Sequence, residues 1–79
     1  MLKNIIGMEI KLVNINECRL NDDMSPILFA DKLIYNNLGY IFEVVDYDNI
    51  DKRIAINIGT NIIWLYRNEY IVLIRNLFQ

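Results

Sequence analysis

Between Gly39 and Ile74, short segments alternate apolar with polar residues and are separated by tight polar turns, and this run constrains the fold more than any other feature. A period of two places alternate side chains on opposite faces of a pleated strand, and short turns join such strands as antiparallel neighbours. Tyr40 to Tyr47 reads as the first strand of the meander, with Ile41, Val45 and Tyr47 on one side and Tyr40, Phe42 and Val44 on the other. A strand apolar on both faces belongs in the middle of a sheet. Asp48-Asn49-Ile50-Asp51 supplies a reversal, after which Lys52 to Ile58 alternates, with Ile54, Ile56 and Ile58 inward and Arg53, Ala55 and Asn57 outward. Gly59-Thr60-Asn61 turns the chain again, Ile62 to Arg67 forms the next strand, Asn68-Glu69 links, and Tyr70 to Arg75 is the last strand. Fifteen isoleucines, with valines and aromatics beside them, suit such pleated half-buried surfaces better than helices.

Upstream, Met8 to Ile15 alternates as a further strand, with Met8, Ile10 and Leu12 on one face and Glu9, Lys11 and Val13 on the other. Asn16 to Asp23 breaks the pattern, with Cys18 and Leu20 its only strongly apolar members, and is expected to be a surface loop. Ser25-Pro26 is a helix-start signal: serine accepts from a free amide, and proline at the first helical position sacrifices no hydrogen bond. Met24 and Phe29 are placed for a hydrophobic staple, while Ile27, Ala30, Ile34 and Leu38 fall near helical spacing before Asn36, Asn37 and Gly39 provide a stop. The spacing predicts a helix over 26–35, although Leu33-Ile34-Tyr35 also suits an extended segment leading into the next strand.

Seventy-nine residues are expected to form one small domain, 1–79, stabilised by packing, since the single Cys18 allows no internal disulfide and histidine is absent. Charge is even along the chain: residues 1–40 carry four basic and five acidic groups and the remainder repeats that balance, giving a net −2. No basic arm exists, which argues against nucleic acid as the primary ligand. The opening Met-Leu-Lys-Asn-Ile-Ile-Gly is too short and too soon charged for a secretory signal, and no apolar run approaches the roughly 18 to 20 residues that span a bilayer. The two best candidates, Ile62 to Tyr66 and Tyr70 to Ile74, are interrupted by Arg67, Asn68 and Glu69, so no membrane is expected, and a lone cysteine fits a cytoplasmic location.

Gly39-Tyr40-Ile41-Phe42-Glu43-Val44-Val45, a polar turn, Ile54-Ala55-Ile56-Asn57, then Ile63-Trp64-Leu65-Tyr66 and Arg67-Asn68-Glu69-Tyr70-Ile71-Val72-Leu73 together resemble the small SH3-like barrel proteins of phages and mobile elements, over about half the chain. The shared pattern is one of core positions, and it implies a fold more than an activity. The signalling-type Ala-Leu-Tyr-Asp-Tyr motif and Trp-Trp pair are missing, so proline-rich peptide recognition does not follow. The region from Asn16 to Leu38 exceeds what a minimal barrel needs and is a place for a specific function.

Catalytic chemistry finds little support. Asp46, Asp48 and Asp51 resemble half of a calcium loop, but Ile50 occupies a ligand position and neither the glycine nor the terminal glutamate follows, so a solvated hairpin tip is the preferred reading. Cys18 has no histidine partner and Ser25 no base. The aromatics lead further: Trp64 and Tyr66 share one strand face and Ile63 and Leu65 the other. If the aliphatic pair faces inward, Trp64 and Tyr66 form an external patch with Tyr47 or Tyr70 nearby and Arg53 and Arg67 in reach; otherwise Trp64 is a core anchor.

The expectation is therefore a mainly β, small α+β domain: an SH3-like barrel or strongly curved antiparallel sheet of about five strands with one short inserted helix. It is expected to be a non-enzymatic binding module without cofactor or metal, contacting a protein through Trp64, Tyr66, Arg53, Arg67 and the acidic Asp46, Asp48 and Asp51. Resemblance and size suggest an inhibitor of a host defence nuclease complex of the CRISPR type, with Asp22 and Asp23 adding to an acidic face. The alternatives are a nucleic-acid-binding barrel that uses Tyr and Trp as stacking platforms with Lys52, Arg53 and Arg67 on phosphates, and a homodimer formed through the apolar edge Tyr70 to Ile74.

Overall fold

The computed structural model describes residues 5–73. Five strands, β1 (Glu9–Leu12), β2 (Ile41–Asp48), β3 (Arg53–Ile58), β4 (Asn61–Leu65) and β5 (Tyr70–Val72), form one curled antiparallel sheet in the order β4-β3-β2-β1-β5. Helix α1 (Phe29–Asn36) lies in the long β1–β2 connection, and single 3-10 turns occupy Glu17–Arg19 and Arg67–Glu69. Among the described residues β4 and β5 pair only with β3 and β1, so the sheet is open and the closed-barrel form of the expectation is not what the chain adopts.

The inward half of the β3 alternation holds: Ile54, Ile56 and Ile58 face the core with Ile63 and Leu65 of β4, Ile10 and Leu12 of β1, Val44 of β2, and Tyr70 of β5. Ala55, expected outward, is fully buried between Trp64 and Asp46 in the cross-strand register. Helix α1 closes this side, with Ile34 fully buried and Ala30 and Leu33 packed against the cluster. Burial of this aliphatic set is the main stabilising term for so small a chain.

Strand β2 is central, as its composition suggests, but its faces differ from simple alternation. A bulge between Val44 and Asp46 shifts the register against β3, pairing Val44 with Ile56 and Asp46 with Ala55. The extra residue lets Phe42, Val44 and Tyr47 all pack against the core, while Ile41 and Val45 are exposed. Strand β1 is shorter than expected, and Met8 is exposed rather than inward. The expected last strand extended to Arg75, of which Ile74 and Arg75 lie outside the described residues.

The helix begins later than its sequence signal. Ser25 does not cap it: its carbonyl accepts from Asn21 N at 2.9 Å, its N–H donates to the Asn21 side chain, and Pro26 forms a bridge with Leu20. Leu28 takes the cap position instead, its N–H donating to Asp31 Oδ2 at 3.3 Å. Met24, Ile27 and Phe29 are all exposed, so neither the staple nor the inward face for Ile27 exists. Asn37 ends the helix, and Gly39 follows in the left-handed region with φ of +92°.

Candidate protein-binding surface

Arg19 ties the β1–β2 connection to the sheet, and the Asn16 side chain adds a bond to Asn68 at 2.8 Å. Arg19 Nε donates to Glu69 Oε2 and its Nη1 to Asp31 Oδ1, both at 2.6 Å, and its Nη2 donates to the Trp64 carbonyl at 2.6 Å. Glu69 is fully buried and also accepts from the backbone amides of Asn16 and Tyr66, each at 2.8 Å. Asp31, 5% exposed, holds α1 to the same cation while capping it. Burial works against the charge on Arg19, but hydrogen bonds and Coulombic attraction from Glu69 and Asp31 outweigh it, so its pKa is raised. The loop, the helix and the β4–β5 turn thus meet on one paired buried charge. The expected Asn68-Glu69 link is therefore a 3-10 turn built around a core carboxylate.

Ile63 and Leu65 are buried, which places Trp64 on the outer face. Cross-strand register sets Trp64 opposite Ala55, and Ala55 opposite Asp46; one row on, Asp48 pairs with Arg53. Asp46, Asp48, Arg53 and Trp64 therefore share the outer face, and Tyr66 follows one residue past β4. Tyr66 is partly exposed and carries the Arg19 guanidinium 4.8 Å from its ring centre, a cation–π contact that fixes the ring. The other two tyrosines weighed for this patch are elsewhere: Tyr47 packs against the core and Tyr70 is 2% exposed.

Asp51, Lys52, Arg53, Tyr66 and Arg67 line a cleft of about 470 Å³ at this end of the sheet. Arg53 Nη2 lies 3.3 Å from Asp51 Oδ2 and 3.8 Å from Asp48 Oδ2, and its Nε is enclosed without an acceptor among the described residues. Arg67 donates at 3.4 Å to the Tyr70 carbonyl and covers the Tyr70 ring at 5.1 Å. Burial raises the Tyr70 pKa, an effect the nearby Arg67 charge opposes. Asp48 Oδ1 accepts from Ile50 N, and Asp46 Oδ1 from Tyr47 N, so these carboxylates shape the hairpin rather than converge. Among the described residues no group of three or more potential metal ligands gathers.

A second surface feature is absent from the sequence reading. Met24, Ile27, Leu28 and Phe29 are 68%, 53%, 63% and 67% exposed, an apolar arm that leads into α1 and ends on its first residue. The arm is held in place: Met24 N donates to Asn21 O, Ile27 N donates to Arg19 O at 3.1 Å, and Leu28 N is fixed by Asp31. Its signal in the sequence is four large apolar residues within six positions, of which the helix expectation gave Met24 and Phe29 to a staple and Ile27 to the apolar face.

Comparison with protein-family models, curated proteins and solved structures returns no match to this chain. Among the described residues no helix is long and apolar enough to cross a membrane.

Proposed function

We propose that this chain is a non-enzymatic protein-binding module that docks its partner through the apolar arm at Ile27, Leu28 and Phe29, supported by the outer face at Trp64 and Tyr66. The observation that carries this reading is the exposure of the arm on backbone that is already hydrogen-bonded. A contiguous apolar patch on a small chain is costly in water unless a partner covers it. A prearranged segment also loses little further conformational freedom on binding. Stoichiometric inhibition of a host defence nuclease complex is one use of such a module, and it rests on the SH3-like resemblance of the sequence alone.

The test is to crosslink the purified chain in native extract, identify the partner, and titrate purified partner by calorimetry. Saturable binding near one to one is expected, weakened by about tenfold or more in Phe29→Ser, as for a central apolar anchor. Affinity unchanged by Phe29→Ser would end this reading.

A second reading, single-stranded nucleic acid, is favoured by Tyr66 standing beside Lys52, Arg53 and Arg67. It requires oligonucleotide binding that falls steeply as salt rises above about 50 mM. Without such binding the reading fails.

A further inference from the structure

We infer that the cleft between Arg53 and Arg67 accepts an aspartate or glutamate side chain from an acidic segment of the protein partner; this rests on the protein-binding reading. Arg53 is held weakly by its own neighbours. Its two carboxylate contacts, at 3.3 and 3.8 Å, are long beside the roughly 2.7 to 2.9 Å of a strong charged hydrogen bond. The same structure shows what a fully engaged arginine looks like, since Arg19 makes three contacts at 2.6 Å. Among the described residues Arg67 has a 3.4 Å contact to the Tyr70 carbonyl and lies over the face of the Tyr70 ring. Two guanidinium groups with donors left over among the described residues therefore border one cavity, with Lys52 at its rim and the Tyr66 ring, stacked against Arg19, as part of its wall.

Among the side chains that line the cleft or pair with Arg53, positive charge is in excess. Lys52, Arg53 and Arg67 contribute three positive charges, and Asp48 and Asp51 remove two, leaving a single excess positive charge. One carboxylate neutralises that excess. A nucleic-acid backbone presents a row of phosphates, for which this cleft offers one place. Arginine is also suited to a planar carboxylate, which takes two parallel N–H donors where Asp48 and Asp51 now approach a single nitrogen.

The experiment is a nuclear magnetic resonance titration of the full chain with capped hexaglutamate, capped hexaglutamine and hexathymidylate at about 50 mM salt, where exposed charges are only partly screened. Hexaglutamate is expected to shift the amide signals of Lys52, Arg53, Tyr66 and Arg67, and hexaglutamine to leave them in place. Arg67→Gln, at an exposed position, should weaken hexaglutamate binding by roughly five- to tenfold, while Lys11→Gln, on the outer face of β1, leaves it unchanged. Shifts spread evenly over the basic residues, equal losses in both variants, or tighter binding of hexathymidylate would overturn the inference. Its failure with Phe29→Ser still weakening partner binding by about tenfold or more removes the carboxylate site alone; an inert Phe29→Ser removes the protein-binding reading whatever the cleft does.

Discussion

Arg19 and Glu69 are fifty positions apart and carry the largest consequence of any single pair. Removing one member of a buried ion pair leaves the other uncompensated, at a cost of about 3 to 5 kcal/mol. A chain of this size has a total stability of roughly 4 to 12 kcal/mol. Arg19→Met and Glu69→Gln should therefore each lower the urea midpoint sharply, and a loss below about 1 kcal/mol would show that the contacts are not tight in solution. Replacing Arg19, Asp31 and Glu69 together by apolar residues should not restore stability, because the Asn16 and Tyr66 amides and the Trp64 carbonyl would lose their partners. Tyr70 gives a pH-dependent counterpart. The folded chain holds its phenolic proton to a higher pH than the unfolded chain, where the ordinary value is 10.0. Its contribution is thus fully present below about pH 10 and is lost as pH rises through the folded value. Tyr70→Phe should flatten the alkaline fall in stability measured by urea titration; an unchanged slope would assign that fall to other groups.

The elements differ in how plainly the sequence declares them. Strand β3 was legible because Ile54, Ile56 and Ile58 alternate without interruption and no tertiary demand opposes them. In β2 one extra residue inverts the parity after Val44, and a pattern of nearly continuous apolar residues contains nothing that marks the bulge. The helix start failed for a related reason: Ser25 and Pro26 carry the right capping chemistry, but non-local pairing with Asn21 and Leu20 uses them first. Outer-face placement of Arg53 follows from alternation, but alternation leaves Trp64 open between core and surface until the burial of Ile63 and Leu65 decides it. Arg19 could be found only from its partners, which periodicity does not connect. At the Gly59-Thr60 turn between β3 and β4, Gly59 has φ of +65° and an added Cβ would meet nothing within 4 Å. Gly59→Ala should thus cost only the left-handed backbone penalty, about 1 to 2 kcal/mol, by denaturant unfolding. A much larger loss would mean that the turn also carries packing.

At the scale of the whole molecule, an open sheet leaves two edges, β4 and β5, and short edge strands limit their use as templates for pairing. Light scattering at low micromolar concentration should give a mass near 9.4 kDa, whereas twice that value would show that an edge is used between copies. The sheet and the Arg19 hydrogen bonds hold the apolar arm and the charged cleft in place. Because the arm is exposed, Phe29→Ser should change folding stability by no more than about 0.5 kcal/mol, which separates binding from folding. The direct measurement is calorimetric titration of the identified partner against wild type and Phe29→Ser. Saturable binding near one to one that falls by about tenfold or more in the folded variant is the expected result. Equal affinity for both proteins would contradict the account.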